Sequence, residues 1–132
     1  MSKQPKVRWG AALIGAFLSE AIMIALVIPL QRYGQDAITI MALIGSFLLP
    51  MLFGIWVGRR AQTHYVLNGF LVGAFAVVIY LATTEAARRF GPPQPPQPFA
   101  YTIAHGLKLL GGALGGFIAS RAPAARAKPE TI

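Results

Sequence analysis

The chain carries 12 basic and 4 acidic residues, and only Glu20 and Lys108 fall in the middle of a long apolar run. The other charges bunch around four runs, residues 9–30, 37–58, 64–86 and 99–120. Each run has about the 20 residues that a helix needs to cross a bilayer. Within hydrocarbon every backbone polar group must be satisfied internally, which for single runs of this length leaves the helix. The sequence therefore predicts one all-α membrane domain with four transmembrane helices. A basic, Ala/Pro-rich tail at 121–132 is expected to be disordered.

Composition narrows the partners. Charged residues make up 12% of the chain, against about 25% in a soluble domain. A net charge of +8 suggests nucleic acid when it lies on one soluble face. Here the basic residues flank apolar runs, so the expected partner is the lipid bilayer, with no nucleic acid. There is no cysteine, which excludes disulfides and thiol catalysis. The first run follows Lys3, Lys6 and Arg8, as the apolar part of a signal peptide would. It is too long for one and lacks an A-x-A-like site, so it is expected to remain as the first spanning helix. With the N-terminus inside, Lys and Arg number eight on the inner side against three on the outer (Arg32, Arg88, Arg89). That bias predicts cytoplasmic termini in the inner membrane.

Local signals mark the helix ends. Trp9 suits an interfacial position. Pro29 is expected to kink or stop the first helix, and Asp36 to cap the second. Pro50 should bend the second helix. Glu85 has Arg88 and Arg89 at helical contact spacing, which predicts a solvated ion cluster. Residues 91–98, GPPQPPQP, read as a stiff extended linker.

Small residues recur every four positions on two helices. Ala42, Ser46, Pro50, Gly54 and Gly58 share one face of the second. Ala104, Lys108, Gly112, Gly116 and Ser120 share one face of the fourth. Gly69 and Gly73 mark a similar face on the third. The pairs Gly54/Gly58, Gly111/Gly115 and Gly112/Gly116 are helix-packing signals, because small residues let backbones approach closely.

These faces align as an internal repeat. Leu13-Ile14-Gly15-Ala16-Phe17 matches Leu71-Val72-Gly73-Ala74-Phe75, and the two small-residue faces match in order, with Arg59 opposite Arg121. Each unit holds an even number of helices, so the copies would be parallel, related by an axis along the membrane normal. In this alignment Glu20 matches Val78 and Lys108 matches Ser46.

Little in the chain suggests catalysis. No nucleophile–base–orienter set is present, and the four carboxylates are scattered. Nothing resembles a phosphate-binding loop. His64 starts the third helix on the inner side and His105 lies in the outer half of the fourth. Their depths differ, so they cannot share one haem within a subunit. No enzyme activity, metal or cofactor is expected. His105 reads as a hydrogen-bonded interhelical residue facing the same way as Lys108. Asn68 reads as a polar contact between helices.

The stretch GAFLSEAIMIA places Glu20 among small residues in helix one of a four-helix chain, and in this it resembles the small multidrug-resistance transporters. The resemblance implies a shared proton and drug-cation site at Glu20. The chain departs from that family in carrying Lys108, a Pro-rich loop and a parallel repeat. In outline, with its Gly-rich last helix and basic tail, it looks like uncharacterised four-helix bacterial inner-membrane proteins, a resemblance that implies no activity.

Depth and face together predict an ion pair. Glu20 lies ~16 Å from the inner boundary and Lys108 ~18 Å, at 1.5 Å per residue. Ala12, Ala16 and Glu20 share the small side of helix one, as Ala104, Lys108 and Gly112 do on helix four. A lone charge at mid-bilayer costs about 3 kcal/mol or more, so the two are expected to pair, with helices one and four as neighbours. The favoured function is a structural, accessory or assembly protein that packs against itself or a larger membrane complex. The alternative is a small ion- or proton-coupled transporter or channel using Glu20, His105 and Lys108. A polar cavity beside Lys108 would separate the two.

Overall fold

The computed structural model describes residues 7–93 and 96–126, with the backbone alone for 122–126. Four helices account for nearly all of it: α1 (Trp9–Leu30), α2 (Gln35–Ala61), α3 (Tyr65–Phe90) and α4 (Ala100–Arg126). All four are long and apolar enough to cross a membrane. Large side chains such as Phe17, Leu52, Val78 and Leu110 point outward, as a bilayer requires and water would not tolerate. The fold is an all-α membrane bundle.

The connections follow local chemistry. Pro29 lies in the last turn of α1, which passes into a 3₁₀ turn at Gln31–Tyr33. Gly34 then takes φ 96°, a conformation that costs glycine little, and it is Gly34 that caps α2. Asp36 lies inside the first turn without a side-chain capping bond, so the expected aspartate cap is corrected. Its charge still suits a helix N-terminus. Pro50 is buried within α2, which runs on unbroken.

Three helices overrun their expected ends, α2 by running through Arg59 and Arg60 to Ala61. α3 continues through Arg88 and Arg89 to Phe90. α4 continues past Ser120 to Arg126, where disorder was expected. Alanine and arginine are strong helix formers, and extending a formed helix adds one bond per residue fixed. The rest of the expected tail, 127–132, lies outside the described residues, as do Lys3 and Lys6.

Both α1 and α4 pack against α2 and α3, and α2 also touches α3. No Cα of α1 comes within 8 Å of one in α4. The two therefore stand at opposite corners of the bundle, not side by side as depth and face alone suggested. Glycine explains why. α4 presents two adjacent glycine rows and sinks between its neighbours. Gly111 and Gly115 abut the carbonyls of Phe47 and Met51 on α2. Gly112 and Gly116 abut those of Gly69 and Tyr65 on α3. Gly54 and Gly58 of α2 meet Gly112, Gly116 and Ala119. With both flanks of α4 occupied, α1 is left to the far side.

The two ends of the bundle differ. Arg8, Arg59, Arg60 and Arg121 mark a basic end, and residues 91–93 and 96–99 lie at the other. Toward the basic end the interior is closed around Ala12, Val57 and Val72. Toward the Pro-rich end it opens. No residue of α1 after Glu20 is buried, and none of α3 after Ala76. The tight glycine contacts lie mostly in the closed half. The open half brings in Met23, Tyr80, Tyr101 and His105, whose bulk holds the helices apart.

Candidate functional site: a buried ion pair beneath an open cavity

Glu20 is the last buried residue of α1. Lys108 sits on α4 where its carbonyl packs against Gly73 of α3, which fixes the helix and aims the side chain inward. Lys108 Nζ lies 2.7 Å from Glu20 Oε1, and both side chains are nearly sealed from solvent. Their reach bridges the diagonal that the two backbones leave open. The contact is charge on charge. Among the described residues Oε1 has no aligned hydrogen-bond donor, so it keeps capacity to accept one.

Tyr80 of α3 supplies a second partner for the cation. Lys108 Nζ stands 4.7 Å from the Tyr80 ring centroid, within cation–π range. The ring of His105 lies 4.8 Å from that of Tyr80, and Tyr101 stacks on Tyr80 at 6.4 Å. Hydrogen bonding of His105 between helices was expected. Instead its Nδ1 is buried with no partner among the described residues, because its neighbour is an aromatic face and not a polar group.

Above the pair is a cavity of about 960 Å³. All four helices line it. Its floor holds Glu20, Lys108 and Ser46, its walls Met23, Ile24, Ile38, Ile79 and Tyr80, and its mouth Gln31, Gln35, Arg88 and Gln97. The mouth therefore faces the Pro-rich end. Arg88 and Arg89 both hold Glu85, at 2.7 and 2.8 Å, so the expected ion cluster sits at this rim.

No family model, curated protein or solved structure matches the chain.

Of the residues singled out from sequence, the fold gathers Glu20, Lys108 and His105 at this one place. Asn68 is elsewhere. It is fully buried near the basic end, where its Oδ1 accepts from the Arg8 backbone N–H at 2.7 Å and its Nδ2 donates to the carbonyls of Thr63 and His64. It is a structural tie between the start of α1 and the α2–α3 turn. Gly54, Gly58, Gly112 and Gly116 are packing residues, all in helix contacts. His64 is exposed at the basic end, far along the chain axis from His105. No group of three metal-ligating side chains occurs among the described residues. Sequence reasoning missed Tyr80. Its signal was a tyrosine ten residues inside the end of α3, deeper than an interfacial girdle places aromatics.

Proposed function

We propose that the protein is a small solute-binding or transport protein of the membrane, which admits its ligand from the Pro-rich end to a polar locus at Glu20, Lys108 and His105. The observation that carries this is the cavity of about 960 Å³ with an ion pair at its floor. A protein whose faces serve only for packing or assembly has no need to keep such a space beside two mid-membrane charges. Intramembrane ionisable residues beside a cavity are the usual mark of a substrate or ion path. The closed basic half supports a pathway open to one side at a time.

Further features belong to this reading. The termini are cytoplasmic, supported by the excess of Lys and Arg at their end, so the cavity opens away from the cytoplasm. The membrane is a bacterial inner membrane and the protein has no enzymatic role. The chain descends from a duplicated hairpin, supported by the matched segments. The copies have diverged: Val78, aligned with Glu20, points outward at 60% exposure.

The absence of native cysteine makes the test clean. Met23, one turn above Glu20, lines the cavity. In sealed cells a Met23→Cys variant should react with a membrane-impermeant thiol reagent added outside. A Val57→Cys variant, at a site with no exposure, should not. An inert Met23→Cys variant would overturn the reading.

A further inference from the structure

We propose that the ligand is a hydrophobic organic monoanion, and that it binds Lys108 in exchange for Glu20, which takes up a proton as it leaves. The inference rests on the solute-binding reading above and names the class of solute.

The two charges of the pair are not equally held. Lys108 has both Glu20 and the Tyr80 ring, and its backbone is locked against Gly73. Glu20 Oε1 has the ammonium and no aligned donor. Beyond Glu20 its helix has no fully buried residue, and its hold on α2 there is the flexible Met23 side chain over Gly45. Glu20 is thus the less firmly held partner. An entering anion replaces it on an ammonium that stays in place. An entering cation would instead have to pull Lys108 away from Tyr80.

The walls fit the same ligand. Met23, Ile24, Val27, Ile38 and Ile79 give an apolar body, with Tyr80 and His105 offering ring faces near the charge. The rim cluster of Glu85, Arg88 and Arg89 carries one net positive charge, which favours entry of an anion.

The exchange balances in charge and protons. Before it, one ammonium faces one carboxylate. After it, the same ammonium faces the ligand carboxylate, and Glu20 lies among apolar side chains without a counter-ion. A bare carboxylate among apolar groups is costly, so its release is coupled to the uptake of one proton. The proton comes from the solution outside through the cavity mouth, so one anion and one proton enter together. Other ionisable or charged groups around Glu20 are His105 and Tyr101 on α4 and Tyr80 and Arg88 on α3. α2 presents Gln35, Ile38, Ala42 and Ser46, none of which titrates.

The test uses the Met23→Cys variant in sealed cells, a cationic membrane-impermeant thiol reagent, and phenylacetate as the probe. Modification rates are compared with and without probe at each pH. Phenylacetate should slow modification several-fold at pH 6 and clearly less at pH 8. Phenethylamine and phenylacetamide, the cationic and neutral analogues, should not protect. Adding Glu20→Gln should keep protection and abolish its pH dependence. The combined Glu20→Gln/Lys108→Met change, which leaves no stranded charge, should abolish protection. Modification without protection by phenylacetate, or equal protection by amine or amide, overturns the monoanion while leaving the cavity reading intact. Protection that does not vary with pH overturns the proton exchange. No modification at all overturns both this proposal and the reading beneath it.

Discussion

The ammonium of Lys108 lies 2.7 Å from the carboxylate of Glu20 although their helices stand at opposite corners of the bundle. The pair thus spans the interior, with α2 and α3 passing on either side. Such a pair need not stabilise relative to apolar residues, but removing one member strands the other. Glu20→Gln and Lys108→Met should each lower stability by about 3 kcal/mol. The double variant should lose much less than the sum. Thermal unfolding in lipid nanodiscs and accumulation in membranes measure both, and additive losses would mean that the charges do not depend on each other.

Gly73 and Gly106 should respond oppositely to alanine. A methyl group on Gly73 would collide with the Lys108 carbonyl, whereas one on Gly106 meets nothing within 4 Å. Backbone cannot yield as a flexible side chain does, so Gly73→Ala should cost about 1–3 kcal/mol. Gly106→Ala should be neutral or stabilise by up to about 1 kcal/mol, since glycine is a poor helix former. Gly112→Leu, wedged between α2 and α3, should prevent accumulation. Normal levels of that variant would contradict the packing described here.

Asn68 should matter for stability and not for the cavity. Alanine there leaves the Arg8 N–H and the Thr63 carbonyl without their partner, while the His64 carbonyl keeps only the backbone N–H of residue 68, a loss of about 1–3 kcal/mol. Asn68→Asp should fail as well, because a carboxylate cannot donate to those two carbonyls. Hydrogen exchange at the start of α1 should rise in both, while labelling of the Met23→Cys variant stays unchanged.

Gln62 ends α2 at φ 61°, a left-handed conformation that costs a non-glycine residue about 1 kcal/mol. Gln62→Gly should therefore raise stability by about 0.5–1 kcal/mol. The melting temperature in nanodiscs reads this directly, and a decrease would point to a role for the glutamine side chain.

The sequence by itself determined the medium, the number of helices and the depth of the two interior charges. These follow from counting along one chain: run length against bilayer thickness, and a fixed rise per residue. For that reason Glu20 and Lys108 could be matched in level before any fold was known. Helix neighbours could not be so counted. Depth and a small face constrain height and direction, but not which corner a helix occupies, and α1 and α4 proved to be diagonal. That was decided by the two glycine rows of α4, Gly111/Gly115 and Gly112/Gly116, which gave it close backbone contact on both flanks. The cavity was likewise a tertiary outcome. It arises where small residues give way to Met23, Tyr80, Tyr101 and His105, whose packing depends on four helices at once. Periodicity along one helix reports which residues are small, while the space between helices depends on how all of their side chains fit together.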